Sequence, residues 1–340
     1  MADGLLDVVG IGNAIVDVLA HADEAFILRH GLNKGTMTLI DADRAQTLYA
    51  AMGPAVEVSG GSAANTIAGL ASLGGKGSFV GKVGADELGR IFSHDIRAAG
   101  VGFDTPPSRS GTPTARSFIF VTPDAQRTMN TYLGACTELG PEDVDPAIHT
   151  IAKVTYLEGY LWDPPAAKQA FLKAARVAHE AGRRVALSLS DPFCVDRHRA
   201  EFRKLVKEHV DILIANETEI CSLWQVSEFD QALQATRGLC EIAALTRSAK
   251  GSVVLAGEEV HVVDAIPVAR VVDTTGAGDL YAAGFLYGYT RGMAPYECAR
   301  IASIAAGEVI SHFGARPETP LAQLLPATAE QIVQRRDQTA

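Results

Sequence analysis

Short runs of apolar and β-branched residues alternate along the chain with longer segments in which apolar residues recur at helical spacing. These runs predict strands over residues 5–12, 55–59, 77–83, 154–158, 184–188, 211–215, 241–246 and 252–255. Helical patterns separate several of them, over residues 42–52, 62–73, 87–99, 166–181 and 199–209. Repeated alternation of strand and helix is typical of a mostly parallel sheet covered by helices on both faces. We therefore expect a doubly wound α/β fold.

Two segments depart from that alternation. Residues 15–40 follow the first strand and contain alternating positions that favour short strands. Residues 115–121 and 127–133 have the pattern of a hairpin, with a Pro-Asp pair at its turn. Antiparallel strands inserted into a doubly wound sheet often form a small lid. We predict a single domain over residues 1–340, with a small discontinuous β lid formed by about 15–40 and 104–135.

The composition narrows the class of protein. The chain has 340 residues, of which 47% are hydrophobic and 21% are charged, so it can bury a sizeable core and is too apolar to be disordered. Its net charge of −10 argues against a protein that coats nucleic acid or an anionic membrane. The five cysteines are odd in number and form no CxxC pair, which fits reduced thiols. We expect a cytoplasmic protein whose partners include neither nucleic acid nor membrane.

The strongest chemical signal is the sequence DTTGAGD, from Asp273 to Asp279, which precedes an apolar helical run. Gly276 and Gly278, on either side of Ala277, allow a tight turn whose backbone N–H groups point at an anion. The carboxylate of Asp279 would repel a phosphate, but it could serve as a base that takes a proton from a hydroxyl beside one. The alternative is an aspartate that only caps the helix.

A second glycine-rich turn, at Gly60 and Gly61, joins a predicted strand to a predicted helix. Two glycines permit a ligand to approach the backbone closely, and the nearby Asn65 offers both a donor and an acceptor to a pair of hydroxyls. A tight turn capped by Ser62 is the simpler interpretation of the same residues.

The first strand ends in the sequence GIGNAIVD, from Gly10 to Asp17. It half fits a dinucleotide-binding fingerprint, but the sixth position is Ile15 and no long helix follows. An NAD-dependent oxidoreductase is therefore a distant alternative. Asn13 and Asp17 instead have the placement of polar groups at a strand end, where open α/β sheets bind ligands.

Taken in order, these segments resemble the ribokinase-like (PfkB) family of carbohydrate and nucleoside kinases. The DTTGAGD sequence matches the family's late motif in full, and the glycine pair at residues 60–61 is similar to its early one. Its NxxE element is present at residues 216–219. Its T-x-G-x-x-G turn is matched in part at residues 246–251, where Ser248 replaces a glycine. The resemblance runs from about residue 7 to about residue 317.

Within this family the chain resembles the branch that phosphorylates adenosine. The opening GNAIVD, the segment LSLSDPF and the run DILIANETE are similar to that branch's motifs. The resemblance implies ATP-dependent phosphorylation of the adenosine 5′-hydroxyl to AMP, with ADP as the other product, as in purine salvage. A kinase of the same fold that acts on a sugar such as ribose or fructose, or on inosine or guanosine, remains open. A catalytically silent nucleoside-binding regulator is disfavoured by the intact Asp279.

The resemblance also implies roles for individual residues. Asp279 would be the general base, and the Gly276-Ala277-Gly278 turn would be the anion hole. The substrate-binding residues would be Asn13, Asp17, Met37, Leu39, Gly60, Gly61, Ser62, Asn65 and Tyr160. The residues beside ATP would be Asn216, Thr246, Arg247, Gly251, His312 and Gly314. Glu219 would order Mg²⁺ through water, K⁺ is a candidate further ion, and the protein would be a monomer or a homodimer.

Overall fold

The computed structural model describes residues 6–325, which form thirteen strands and eleven α-helices. The strands are β1 (Leu6–Ile11), β2 (Ile15–His21), β3 (Met37–Leu39), β4 (Val56–Gly60), β5 (Gly77–Val80), β6 (Ala115–Val121), β7 (Arg127–Tyr132), β8 (Ala152–Glu158), β9 (Arg184–Ser188), β10 (Ile212–Asn216), β11 (Ile242–Thr246), β12 (Ser252–Ala256) and β13 (Glu259–Val263). The helices are α1 (Glu24–Arg29), α2 (Ala42–Ala51), α3 (Ser62–Ser72), α4 (Glu87–Ala98), α5 (Pro146–Ile151), α6 (Pro165–Glu180), α7 (Pro192–His209), α8 (Glu217–Trp224), α9 (Phe229–Thr236), α10 (Ala277–Thr290) and α11 (Pro295–Val309). Residues 1–5 and 326–340 lie outside the described residues, so the extent of the single domain stays a prediction.

Eight strands form a large sheet in the order β13-β12-β11-β10-β9-β8-β1-β5. The six strands from β11 to β5 pair in parallel, whereas β12 and β13 add antiparallel strands at one edge. Apolar side chains occupy both faces of the parallel strands, as a sheet covered on both sides requires. The predicted α/β fold with a mostly parallel sheet is confirmed.

Two helices beside the large sheet pack closely enough to bring their N-termini together. Eight of the eleven residues of α3 are buried, and most of them are small. At Gly69 of α3 a Cβ atom would come within 2.5 Å of the Leu280 side chain and 2.9 Å of the Ala283 Cβ on α10, so a larger residue would push the two helices apart. The close packing places Ser62, at the start of α3, beside Asp279, in the first turn of α10.

Five strands form a second sheet, the small sheet, in the order β3-β7-β6-β2-β4. It contains the predicted hairpin as β6 and β7, which pair antiparallel. The strand predicted over residues 55–59 also belongs here, as β4, and not to the main strand–helix alternation. The physical reason is its exposure, because Val56 is 57% exposed and a central strand of a parallel sheet would be buried. The lid boundaries stay a prediction, and residues 104–114 form no named strand.

The outer face of the small sheet is covered by helices of the same chain. Val18, Phe118 and Phe120 on that face form a buried cluster with Ile27 of α1 and Leu48 of α2. The apolar surface of this face is therefore buried within the chain itself.

No helix within residues 6–325 combines the length and the apolar character needed to cross a lipid bilayer.

Candidate active site

A cavity of about 790 Å³ lies between the small sheet and one edge of the large sheet. Glu158, Asn216 and Thr246, the last residues of three parallel strands, line it, as expected at the carboxyl edge of an open α/β sheet. Its volume is in the range of small-molecule sites. Sixteen predicted site residues line the cavity. They are Asn13, Asp17, Met37, Leu39, Gly61, Ser62, Asn65, Tyr160, Asn216, Glu219, Thr246, Gly251, Gly276, Ala277, Gly278 and Asp279.

The carboxylate of Asp279 is held by α3 and not by its own helix. Ser62 Oγ donates to one carboxylate oxygen at 2.7 Å, and Asn65 Nδ2 donates to the other at 3.0 Å. Gly276 is the N-cap residue of α10, and no side chain caps this helix. Burial raises the pKa of Asp279, although the two hydrogen bonds and the positive charge of Arg127 oppose the rise. A carboxylate that lines a cavity and makes no capping bond to its own helix is unlike a simple cap.

The glycine turn before α10 leaves the backbone N–H groups of Gly276 and Gly278 without a partner within residues 6–325, whereas the N–H of Ala277 donates to the Thr274 carbonyl oxygen at 3.3 Å. Gly276 has a φ of +79°, and a Cβ there would come within 2.6 Å of the Ala315 carbonyl oxygen, so glycine is required. A Cβ at Gly278 would meet nothing within 4 Å, so that side of the turn is open. The first N–H groups of a helix have no partner within it and attract anions.

Buried Asp273 fixes the shape of this turn. Its carboxylate accepts hydrogen bonds from the backbone N–H and the hydroxyl of Thr275, at 2.9 and 2.6 Å. It also accepts from the backbone N–H of Gly314 at 3.0 Å. Gly314 therefore lies against the turn and does not line the cavity, so its place beside ATP stays a prediction.

Asp17, on β2, presents a buried carboxylate to the cavity from the small sheet. It is 6% exposed, and burial raises its pKa to about 7, while the charge of Arg316 opposes the rise. A Cβ at Gly60 would lie 2.0 Å from a carboxylate oxygen of Asp17, so Gly60 makes room for this carboxylate and does not itself line the cavity. At Gly61, where φ is +93°, a Cβ would collide with the carbonyl oxygen of Asn13.

Glu158, at the end of β8, is a site residue that the sequence analysis missed. It is 1% exposed and accepts hydrogen bonds from the Asn13 side chain at 2.6 Å, the Asn13 backbone at 3.2 Å and the Ala63 backbone at 2.7 Å. Burial raises its pKa to about 7 against the effect of these three donors. Its position at the end of a predicted strand was the available signal, since Asn216 was found at an equivalent place.

Two arginines supply positive charge to a cavity rich in carboxylates. Arg127, on β7, lines the cavity directly. Arg316 donates from Nε to the side-chain oxygen of Asn65 at 3.3 Å. Burial lowers the pKa of Arg316 to about 10, although the nearby Asp17 favours its charged form. Arg127 and Arg316 therefore balance part of the negative charge of Asp17 and Asp279.

Asn216 and Glu219 form a reciprocal capping box at the start of α8. The Asn216 side chain accepts from the Glu219 backbone at 2.8 Å, and Glu219 accepts from the backbone and side chain of Asn216 at 2.9 and 2.6 Å. Both residues also line the cavity, and burial raises the pKa of Glu219 to about 7. Within residues 6–325, no group of three or more His, Cys, Asp or Glu residues could hold a metal ion.

Two further predicted ATP contacts are directed away from the cavity. Arg247 pairs with Glu217 at 3.1 Å and lies over the ring of Phe229, 4.1 Å from its centre, which holds the guanidinium outside. His312 lies against Glu308 at 3.2 Å and does not line the cavity. The directions of the Arg247 and His312 side chains are set by charged and aromatic partners that the motif does not specify.

The family model described as pfkB family carbohydrate kinase matches residues 36–322 of this chain. The chain belongs to the pfkB family. This kinase is 55% identical to adenosine kinase from Sinorhizobium meliloti, with a TM-score of 0.92 over 96% of this chain and 99% of that one. It is 53% identical to a probable sugar kinase protein from Rhizobium etli CFN 42, with a TM-score of 0.92 over 96% and 98% of the two chains. Adenosine kinase 1 from Arabidopsis thaliana is 27% identical and covers 94% of this chain and 97% of its own.

The pfkB kinase is a phosphotransferase with an alcohol group as acceptor, of the class that acts on nucleosides or sugars. ATP is its phosphoryl donor, and enzymes of this kind usually require Mg²⁺.

Proposed function

We propose that this kinase transfers the terminal phosphoryl group of ATP to the 5′-hydroxyl of adenosine, giving AMP and ADP. One observation carries the proposal. The carboxylates of Asp17 and Asp279 open into the same cavity as an apolar wall that includes Met37, Leu39 and Tyr160. A free sugar presents hydroxyls on most of its surface, whereas a nucleoside adds a flat base that such a wall can cover.

The small sheet supplies most of the wall proposed to cover the base. Met37 on β3 lies directly opposite Met129 on β7, which in turn lies opposite Ile119 on β6. All three side chains line the cavity. Two thioethers beside an aliphatic side chain form a polarizable surface suited to an aromatic ring. In this proposal the small sheet acts as a lid, and its closure over the substrate would exclude water.

The carboxylate of Asp279 would act on the 5′-hydroxyl. Ser62 and Asn65 orient it, so the carboxylate can accept the proton of the attacking hydroxyl without moving. The N–H groups of Gly276 and Gly278 would stabilise charge on the transferred phosphoryl group, and that of Ala277 could join them if it left the Thr274 carbonyl oxygen. Arg127, which lines the same cavity, adds a positive charge that can reach the phosphates.

Magnesium would be held mainly by the phosphates of ATP, as Mg²⁺ retains several waters in kinase sites. Glu219 fits a role at one remove, because both of its oxygens already accept hydrogen bonds from Asn216 but still face the cavity. When bound, Mg²⁺ neutralises phosphate charge. We also propose K⁺ as a candidate further ion of this enzyme. We further propose a cytoplasmic enzyme of purine salvage that is a monomer or a homodimer. The cover of α1 and α2 over the outer face of the small sheet favours the monomer.

Steady-state kinetics with a panel of nucleosides and sugars tests this function. We expect kcat/KM for adenosine to exceed that for ribose by at least about a hundredfold, because a base pocket adds several kcal/mol of binding. ADP release is measured with ATP and Mg²⁺ for adenosine, inosine, guanosine, ribose and fructose. Comparable turnover of ribose and adenosine would instead make the protein a sugar kinase.

The substitution Asp17→Asn tests the ribose clamp. Because the buried carboxylate would accept the ribose hydroxyls, its loss should weaken adenosine binding by about 1–3 kcal/mol and leave ATP binding nearly unchanged. Calorimetry with each ligand gives the two values. Asp23→Asn, at the exposed N-cap of α1, is the matched control and should change neither. Equal losses of adenosine and ATP affinity would assign Asp17 to the fold and not to the substrate.

A further inference from the structure

Two hydroxyls interrupt the apolar wall of the cavity. Ser117 Oγ and Thr131 Oγ1 lie 2.8 Å apart and form one hydrogen bond, in which either can be the donor. Their residues are only 4% and 5% exposed, yet both line the cavity. No other hydrogen bond to either hydroxyl is formed within residues 6–325. One of the two O–H groups therefore keeps a hydrogen that faces no protein acceptor in this part of the chain.

Strand register places these hydroxyls on a line that begins at Asp17. Asp17 pairs with Ser117, Ser117 with Thr131, and Thr131 with Leu39 across four adjacent strands of the small sheet. All four side chains line the cavity. Since neighbouring strands are about 5 Å apart, Ser117 and Thr131 lie roughly 5 and 10 Å from Asp17 along this line.

These distances match the dimensions of a nucleoside. A ligand whose ribose is held at Asp17 and whose base extends toward Leu39 must pass over both hydroxyls. The parallel row beside it, Ile119, Met129 and Met37, is entirely apolar. The base would therefore rest on apolar side chains along one row and meet polar atoms along the other.

We propose that the Ser117–Thr131 pair determines specificity by hydrogen bonding to the polar edge of the substrate's base. This inference rests on the proposed nucleoside kinase function. A hydroxyl can rotate and can donate or accept, so the pair can serve an amino group, a carbonyl oxygen or a ring nitrogen. The pair thus favours a nucleoside with a hydrogen-bonding heteroaromatic base over a bare sugar or a substrate with an apolar ring. It does not by itself discriminate between purines that carry an amino group and purines that carry a carbonyl group.

The double variant Ser117→Ala with Thr131→Val tests the proposal by steady-state kinetics with adenosine and ATP. Removing both hydroxyls should raise KM for adenosine about tenfold and leave KM for ATP and kcat within about twofold. Thr38→Val is the matched control, because Thr38 lies on β3 between Met37 and Leu39 and points to the opposite face of the sheet. It should leave all three parameters within about twofold.

Single variants add a second measurement. Each hydroxyl is the hydrogen-bond partner of the other. The fold-increases in KM for adenosine of the two single variants, multiplied together, should therefore exceed the fold-increase of the double variant. An unchanged KM for adenosine in the double variant, or equal rises in KM for adenosine and ATP, overturns the proposal. Absence of nucleoside turnover by the unsubstituted enzyme, with turnover of a sugar, instead overturns the proposed function, and the two failures are therefore distinguishable.

Discussion

Replacing Asp279 with Asn should lower kcat by roughly a hundredfold to ten-thousandfold, the range that a general base contributes. The amide keeps the size of the side chain but cannot accept a proton at neutral pH. Its oxygen can still accept one of the two hydrogen bonds that Ser62 and Asn65 donate to the carboxylate. Folding should survive, because the carboxylate makes no capping bond to α10 whose loss would unravel the helix. ATP should bind as tightly or slightly more tightly, since a negative charge beside the phosphates is gone.

The measurement combines kcat, melting temperature and calorimetric ATP binding on one purified variant. Asp41→Asn is the matched control, because Asp41 is the exposed N-cap of α2 and asparagine caps helices equally well. It should retain the unsubstituted kcat. A folded Asp279→Asn enzyme with more than about a tenth of that kcat would reject the general-base role. If the variant does not fold, Asp279→Glu preserves the base, and its activity decides whether a carboxylate is needed there.

The fold was largely predictable because its determinants are local and periodic. The apolar runs that give β8 to β11 are long enough to be recognised without partners, and a covered parallel sheet follows from their alternation with helices. Which strand a short strand pairs with is harder to predict. Val56 and its neighbours have a strand pattern, but they pair with residues of β2 that lie about 40 positions earlier, and no local pattern records that pairing.

The lining of the cavity was predictable where the backbone demands a motif. Gly276 must be glycine because of its positive φ and its contact with Ala315, so the turn before α10 leaves a signature in the sequence. The directions in which long side chains point leave no such signature in the sequence. Arg247 belongs to a recognisable turn, yet its guanidinium lies over Phe229, and that choice depends on a ring supplied by another helix.

Glu158 shows most clearly what the sequence did not reveal. A single glutamate at a strand end has no distinctive spacing, and its partners Asn13 and Ala63 are about a hundred or more positions away. Its importance arises from geometry. It connects the end of β1 to the first turn of α3, the helix that holds Asp279 through Ser62 and Asn65. At Gly12 a Cβ would lie 2.2 Å from its carboxylate, so that glycine also accommodates it.

Glu158→Gln should therefore impair catalysis without any contact between residue 158 and the reacting atoms. Three N–H donors converge on the two carboxylate oxygens, and an amide would set its own N–H₂ against at least one of them. One buried donor left unpaired costs about 1–3 kcal/mol. Movement of α3 by about 1 Å would misplace Asp279, and such misplacement can cost about a hundredfold in rate. We expect kcat to fall by about tenfold to a hundredfold, with a lower melting temperature.

The pH profile distinguishes positioning from a general loss of stability. Burial raises the pKa values of Glu158, Asp17 and Glu219 to about 7, and each carboxylate loses part of its acceptor capacity when it gains a proton. As pH falls through about 7, these carboxylates gain protons, and burial also raises the pKa of the proposed base Asp279, so kcat/KM of the unsubstituted enzyme should fall with a slope of more than one proton. Glu158→Gln removes one of these groups, and the acid limb should become less steep by about one proton. Glu241→Gln, an exposed residue paired with Arg184 far from the cavity, should leave the slope unchanged. An unchanged slope in Glu158→Gln, with activity lost only in proportion to unfolded protein, would make Glu158 a structural residue, because a carboxylate that positions Asn13 and α3 through three N–H donors should hold them less well once it is protonated.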